Sequence, residues 1–426
     1  MLPHAALLLV ALATQLGPPG AVTTDFDRRE DSAEAVAVQP DGKLVLAGTS
    51  SAPAEDRASF ALSRYAADGS LDPGFGGDGT VTTDFGSFAD GASDVLVQPD
   101  GRIVAVGSAV RESDDRLAVA RYLPDGALDP SFGGDGSVSI AEARGFNGCL
   151  TPASVALQPD GRLVVAGTEG CGGEAGFTKL LVVRLQPDGR LDGSFDGDGR
   201  KSFDFGPCAF GNAVALQLDG KIIVAGGDGN CYEERGPFRV ARLNADGTFD
   251  HRFGRRGRQQ VRFPAPSAWV DDVMLDTQGR IVLVGSAGGR TRSRRFRFTF
   301  ALARLTPAGA LDRRFGRRGI WMAPRPGRRD TYASAGALLR DGRIVVVGTR
   351  SPFSKHPDSR IALYRQEGAL DRSFRRGGAG RVGFGGRRES ANALAIDAEG
   401  RLVVVGSSEL PGTSFDFGLT RLAAAS

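Results

Sequence analysis

Residues Val155 to Gly167 read VALQPDGRLVVAG: an apolar run, a turn around Asp160 and Gly161, and a second apolar run. Pro159 presets φ for the turn, and Gly161 accepts the left-handed conformation that the return strand needs, so the stretch predicts a β-hairpin. Related copies run from Val36 to Gly48, Val95 to Gly107, Val214 to Gly226, Val273 to Gly285, Gly336 to Gly348 and Leu394 to Gly406. Their turn glycines (Gly42, Gly101, Gly161, Gly220, Gly279, Gly342 and Gly400) are separated by 59, 60, 59, 59, 63 and 58 residues. One supersecondary unit is therefore used seven times.

Each unit carries four strand signals. Strands a and b are the halves of the hairpin, nearly continuous apolar runs of the kind covered on both faces. Strand c is the FALSR-type segment that begins at Phe60, Leu117, Leu181, Phe238, Phe300, Ile361 and Phe417. A glycine-rich turn such as Asp68 to Gly79 follows, then strand d, such as Val81 to Phe85. Glycine makes up 61 of 426 residues, and it recurs at fixed turn positions instead of forming a low-complexity tract. No amphipathic helical window survives between the strands. The fold class is all-β, and seven units of four strands predict a seven-bladed β-propeller.

The ends of the repeat array sharpen that expectation. The last unit has strands a, b and c but no d, whereas Val22 to Phe26 reads VTTDF, letter for letter the same as Val81 to Phe85. If residues 22–26 pair with the strand beginning at Phe417, the ring closes through a blade shared by both termini and no sheet edge is left open. Residues 22–426 then form one propeller domain. Residues 1–21 stand outside it; the apolar stretch Ala5 to Ala13, followed by Gly17, Pro18, Pro19 and Gly20, reads as a signal peptide, although no Lys or Arg precedes it. No other segment approaches the roughly 18 apolar residues of a membrane helix, so no transmembrane segment is expected in the mature chain.

Three spaced motifs recur together: A-V-x-x-P-D-G-K/R-L-V-V-A-G, then F-A-L-x-R-Y/L, then D-G-x-L-D-x-x-F-G-x-x-G. In this the chain resembles the delta-60 repeat family of bacterial, often exported, proteins, from Val22 onward. It departs where Ala308 and Glu367 replace the Asp of the second D-G, and where Arg375 and Arg376 follow Phe374. The resemblance implies a repeat architecture and secreted or cell-surface residence. It implies no defined activity.

Arginine ends strand c in every unit (Arg64, Arg121, Arg184, Arg242, Arg304, Arg365, Arg421), and aspartate follows in six (Asp72, Asp129, Asp192, Asp250, Asp312, Asp371). A binding site seldom needs all blades alike, so these residues are expected to pair and lock each c-to-d turn. Cys149 and Cys171 centre on residue 160, the third turn, and Cys208 and Cys231 centre on 219.5, the fourth. Residues equidistant from a hairpin turn lie opposite each other, so two disulfides are expected and with them an oxidising compartment. Free buried thiols and a zinc site of all four cysteines are the alternatives, but C-x-x-C and a nearby histidine are both missing, so no metal is assigned.

The a-to-b and c-to-d turns share one face of the disc and are nearly uniform in sequence. The d-to-a and b-to-c loops share the other and hold the irregular stretches, including residues 145–153, 287–295 and 350–359. Function is expected on that varied face. Three consecutive units present Phe210, Trp269 and Tyr332 near it, followed two residues on by Asn212, Asp271 and Ser334. Aromatic faces beside small polar groups suit a sugar ring and its hydroxyls; the plainer reading is that the rings pack against neighbouring loops.

Catalytic material is sparse. The three histidines are His4, His251 and His356, too few for a metal cluster or a Ser-His-Asp site. Phe195 to Gly199 reads FDGDG but lacks the closing acid of a calcium loop, so it reads as a turn. No phosphate-binding glycine loop occurs between a strand and a helix, and no cofactor is expected. Residues 1–220 carry 16 Lys and Arg against 31 Asp and Glu, and residues 221–426 carry 37 against 19, so the second half offers a basic surface to a polyanion. A coding preference is the plainer account, with 48 Arg against 5 Lys. Two functional readings stand: a monomeric secreted or surface binding module for a glycan or protein, and a carboxylate-based carbohydrate hydrolase or lyase around Glu34, Asp94, Asp271 and Asp272.

Overall fold

The computed structural model describes residues 20–27, 29–52, 57–111, 115–141, 150–170, 178–206, 208–228, 236–290, 296–322, 330–375, 377–412 and 414–423. Among the described residues the regular structure is 28 β-strands and no α-helix. The third hairpin forms around Gly161 at φ 85°, where the Gly161 N–H donates to Gln158 O at 2.9 Å and the Gln158 N–H to Arg162 O at 2.8 Å. Asp160 accepts the Arg162 N–H at 3.1 Å, so the turn residues supply their own bonds. The hairpins join strand a to strand b at Glu30–Val38 and Leu44–Ala52, Ala89–Val97 and Ile103–Val110, Leu150–Leu157 and Leu163–Glu169, and so on to Arg388–Ile396 and Leu402–Glu409.

Strand c and a short strand d complete each antiparallel unit, as in Lys179–Leu185 and Arg200–Phe203. There are five four-stranded sheets and one of eight strands; the eight-stranded sheet is two such units joined by a single parallel bridge, Ala58 to Ala89. The a strands contact one another from unit to unit, and the last of them, Arg388–Ile396, contacts the first, Glu30–Val38. They are therefore the inner strands.

Strand b explains why the units stack. Leu163 through Gly167 is buried on both faces. Leu163 and Val165 pack with Val104 and Val106 of the preceding unit, while Val164 and Ala166 pack with Val224 and Ala241 of the following one. Each such side chain removed from water contributes about 1.5–3 kcal/mol, so the core is a series of layers between units. One layer joins Ala33, Leu44 and Leu46 to Val403, Val405 and Phe417, the two ends of the array.

Residues 22–26 repeat the contacts of 81–85 as well as their letters. Val22 and Thr24 pair with Leu419 and Phe417, as Val81 and Thr83 pair with Leu62 and Phe60. The Phe26 ring lies 4.9 Å from Phe417, and the Phe85 ring 4.9 Å from Phe60. Thr24 bonds the Tyr65 hydroxyl and Thr83 the Tyr122 hydroxyl, each in the next unit.

The arginine at the end of strand c has three partners that recur from unit to unit. Arg184 Nε donates to Asp192 at 2.7 Å, its guanidinium lies 4.8 Å from the Phe195 centroid, and Nη1 donates to the Ala245 carbonyl of the next unit. Arg64, Arg121, Arg242 and Arg304 do the same with Asp72, Asp129, Asp250 and Asp312 and with the carbonyls of Pro124, Pro187, Pro307 and Gln366. Arg421 of the last unit reaches back to the Ala67 carbonyl of the first.

The sixth unit corrects the sequence reading. Its equivalent of Arg304 is Leu363, whose carbonyl accepts the Asp371 N–H as Arg304 O accepts that of Asp312. Arg365 lies two residues further on, with an exposed side chain 3.7 Å from Asp371, and it belongs to the surface.

Arg184→Met leaves Asp192, 1% exposed, without its main counter-charge. We expect a loss of about 3–5 kcal/mol in denaturant unfolding, against under about 0.5 kcal/mol for Arg365→Ala. Equal losses would show that the register assigned to the sixth unit is wrong.

Candidate functional site

Every inner strand is bulged at one position. Register shifts fall between Ala33 and Ala35, Ala92 and Asp94, Pro152 and Ser154, Gly211 and Ala213, Val270 and Asp272, Ala333 and Ala335, and Ala391 and Ala393. Glu34, Ser93, Ala153, Asn212, Asp271, Ser334 and Asn392 are the extra residues, each re-aimed by the local twist. The glycine that closes V-V-A-G is what admits the bulge: a Cβ on Gly226 would lie 1.9 Å from Phe210 O, and one on Gly285 2.0 Å from Trp269 O.

Most polar groups on these strands tie one unit to the next. Asn212 Nδ2 donates to Val270 O at 2.7 Å, and Asn392 Nδ2 to Ala33 O at 3.0 Å. Ser286 Oγ accepts the Ala333 N–H at 2.9 Å, and Thr349 Oγ1 that of Ala391 at 3.3 Å. Asp94 accepts the N–H groups of Val95 and Val155 at 2.8 and 2.7 Å, and Asp272 those of Val273 and Gly336 at 2.7 and 2.9 Å. Burial pushes both carboxyls up to about 6, and the charge of Asp94 adds to the rise at Asp272. Burial also raises Glu34, against the pull of the Ser32 hydroxyl that donates to it at 2.5 Å.

The predicted aromatic residues form part of a continuous row. Phe210 and Trp269 both close on Gly227, where a Cβ would meet Phe210 Cζ at 2.6 Å and Trp269 Cβ at 3.0 Å. The other units carry a hydroxyl at that place: Thr49, Ser108, Thr168, Ser286, Thr349 and Ser407. Trp269 is 6% exposed and donates Nε1–H to Asp271 at 3.0 Å, so its indole packs inside. Phe298 lies 5.0 Å from Trp269 and 5.1 Å from Tyr332, and Tyr332 lies 5.9 Å from Phe353, which is 92% exposed. Phe298 and Phe353 escaped the sequence reading because they stand outside the repeated positions.

Beside the outer end of this row is a cavity of about 560 Å³. It opens where the inner strands begin, on the face of the d-to-a and b-to-c loops, and Pro352 and Pro357 of one such loop line it. Ser32, Thr49, Ser334, Thr349, Ser390 and Ser407 supply hydroxyls, Asn392 an amide, and Tyr332 and Phe415 aromatic surface. Ser390 and Ser407 share a bond of 2.7 Å. Tyr332 and Ser334 are thus in the wall, while Phe210, Asn212, Trp269 and Asp271 lie on neighbouring strands outside it. A larger cavity of about 830 Å³ between outer turns of the second and third units is lined largely by turn residues such as Gly133, Gly134 and Gly189.

Asp31, also in the wall, caps the d-to-a connection by accepting the Phe26 N–H at 2.8 Å. Its carboxylate and those of Asp25 and Asp416 bring oxygens within 4.8 Å of one another. Burial pushes Asp31 up to about 7, offset by the Phe26 N–H and the Ser50 hydroxyl, with the charges of Asp25 and Asp416 adding to the rise. A proton held on Asp31 relieves the repulsion. Of the cysteines, Cys208 carries no free thiol, and Cys149, Cys171 and Cys231 lie outside the described residues.

Five stretches, residues 39–75, 98–132, 158–195, 217–253 and 339–374, match the family described as a domain of unknown function (DUF5122) β-propeller. The chain is a β-propeller repeat protein. No curated protein matches the propeller by sequence. Among solved structures it is similar to polysaccharide lyase Uly1, at 12% identity over 92% of this chain and 90% of that one, with a TM-score of 0.54. It is also similar to virginiamycin B lyase from Staphylococcus aureus, at 9% identity over 94% and 98%, with a TM-score of 0.49. At these identities the likeness concerns the fold. No helix among the described residues is long and apolar enough to cross a membrane.

Because Asp31, Asp94 and Asp272 titrate higher folded than unfolded, their contribution to stability is full below pH about 4 and lost as pH rises through about 6 to 7. Asp31→Asn keeps an acceptor for Phe26 and removes the charge. We expect it to raise the melting temperature at pH 8, by on the order of a few kcal/mol of stability, and to leave it nearly unchanged at pH 4. An equal effect at both values would rule out a proton on Asp31 as the cause.

Proposed function

We propose that this protein is an exported binding module of the delta-60 repeat type, a seven-bladed ring over residues 22–426 that recognises a glycan at the mouth of its channel. The observation that carries the reading is the cavity of about 560 Å³ walled by serine and threonine hydroxyls, an amide and two aromatic side chains, with Glu30, Asp31, Arg388 and Glu389 also in its wall. Hydroxyls exchange hydrogen bonds with a sugar in both directions, and an aromatic face covers its C–H surface. The exposed Phe353 beside Tyr332 extends that apolar surface outward.

Closure by residues 22–26 is supported by their duplicating the contacts of residues 81–85, and by the hydrophobic layer that joins the first unit to the last. Export is supported by the signal-like residues 1–21 and by the cysteine spacing, with Cys149 to Cys171 and Cys208 to Cys231 as the proposed disulfides.

The alternative, a carboxylate-based hydrolase or lyase, draws on the raised Glu34, Asp94 and Asp272. Asp94 and Asp272 each spend both oxygens on backbone N–H groups, one of them in the next unit. That arrangement suits a link between blades better than a proton shuttle, which needs an oxygen within reach of the substrate.

A glycan array read with the wild type and with Tyr332→Ala tests the proposal. We expect the wild type to retain a defined set of neutral glycans, and the variant to lose at least about tenfold in affinity, the loss of one stacking contact with its hydrogen bond. Unchanged binding by Tyr332→Ala would remove the mouth as the site, and a protein ligand captured in place of any glycan would replace the ligand class.

A further inference from the structure

The c-to-d turns occupy one structural position throughout, yet their charge reverses along the chain. The first three read DPGFGGDG from Asp72, DPSFGGDG from Asp129 and DGSFDGDG from Asp192. The next three read DHRFGRRG from Asp250, DRRFGRRG from Asp312 and DRSFRRGG from Asp371. Asp78, Asp135 and Asp198 are exposed on the first group. On the second, the exposed charges are those of Arg252, Arg255, Arg256, Arg313, Arg314, Arg317, Arg318, Arg372 and Arg375.

The aspartates that open these arginine-bearing turns offer little neutralisation. Asp250, Asp312 and Asp371 are buried and committed inward to Arg242, Arg304 and Arg343. The carboxylate of the second D-G, present in the first four units, is missing at Ala308 in the fifth. The array is also rigid, because Gly254 N–H donates to Ala308 O at 2.9 Å and Gly316 N–H to Glu367 O at 2.7 Å, binding each turn to the next.

The arginines are placed against local preference. The Arg255 N–H donates to Arg258 O and the Arg317 N–H to Ile320 O, both at 2.7 Å, closing two-residue turns whose central pairs are Arg256–Gly257 and Arg318–Gly319. Both members of each pair have positive φ, 54° and 86°, then 57° and 102°. Such turns ordinarily take asparagine or aspartate before the glycine. A coding preference for arginine over lysine does not explain arginine where neither is favoured.

We infer that the outer turns of the fourth to sixth units form a second binding face, for a linear sulfated or phosphorylated polysaccharide. Arginine pairs with such groups through its planar fork. The aromatic residues of the turns, Phe253, Phe315 and Phe374, are buried beneath the arginines, so the array offers no exposed ring on which a nucleobase would stack. This face and the channel mouth are on opposite sides of the ring, and the inference stands independently of the mouth.

Heparin is the probe. We expect the full chain to bind it with an affinity that falls steeply between about 50 and 200 mM salt, and to ignore fully desulfated heparin. The variant Arg255→Gly, Arg256→Asp, Arg317→Gly, Arg318→Asp installs the FGGDG turn that the first two units already use. It should bind heparin at least about tenfold more weakly, with a shallower salt dependence. Arg313→Ser with Arg314→Ser serves as a second variant should the first fail to fold, and Tyr332→Ala should bind heparin as the wild type does. Undiminished heparin binding by a folded arginine variant would overturn the inference, as would no binding by the wild type at 50 mM salt, or tighter binding to duplex DNA than to heparin.

Discussion

The guanidinium at the end of strand c holds the architecture in register. It is nearly buried, 5% exposed at Arg184, so it persists only because an aspartate, a phenylalanine face and a carbonyl of the neighbouring unit all meet it. Apolar layers between units would tolerate some sliding, since burial is not directional. A planar donor with fixed forks is not so tolerant, and it sets each unit against the next at one distance and angle. In the sixth unit Leu363 takes its place, and only the backbone bond to Asp371 is kept.

The second constraint lies at the inner edge. A bulge in each inner strand turns a side chain out of the ladder and frees N–H groups, which hydroxyls such as Ser286 and Thr349 of the preceding unit accept. The same device that ties one unit to the next therefore lines the inner strands with polar groups. At the boundaries between the last units and the first, those groups meet aromatic side chains around a cavity.

The hairpin, the four-strand unit and the equivalence of residues 22–26 with 81–85 were legible because each is a local pattern with a fixed spacing. The bulge was not, because its occupant varies among Glu, Ser, Ala, Asn and Asp and its cause is a glycine on the facing strand. Arg365 misled because the residue type matched while the spacing did not: Arg304 precedes its aspartate by eight residues, and Arg365 precedes Asp371 by six. Trp269 and Tyr332 look alike in the repeat, but only packing shows that the first is covered and the second lines a cavity. The hydroxyl after the V-V-A-G glycine was open to reading, since its single exception, Gly227, marks where two rings converge.

The pairing of Ala21 with Thr420 and Thr24 with Phe417 also has a mechanical consequence. The two strands are antiparallel, and the chain leaves both at the same edge. Tension applied across residues 20 and 422 therefore peels the pair open one bond at a time, and it reaches the Phe26 and Phe417 rings last. A sheet completed in this way is weak as a link between two anchors.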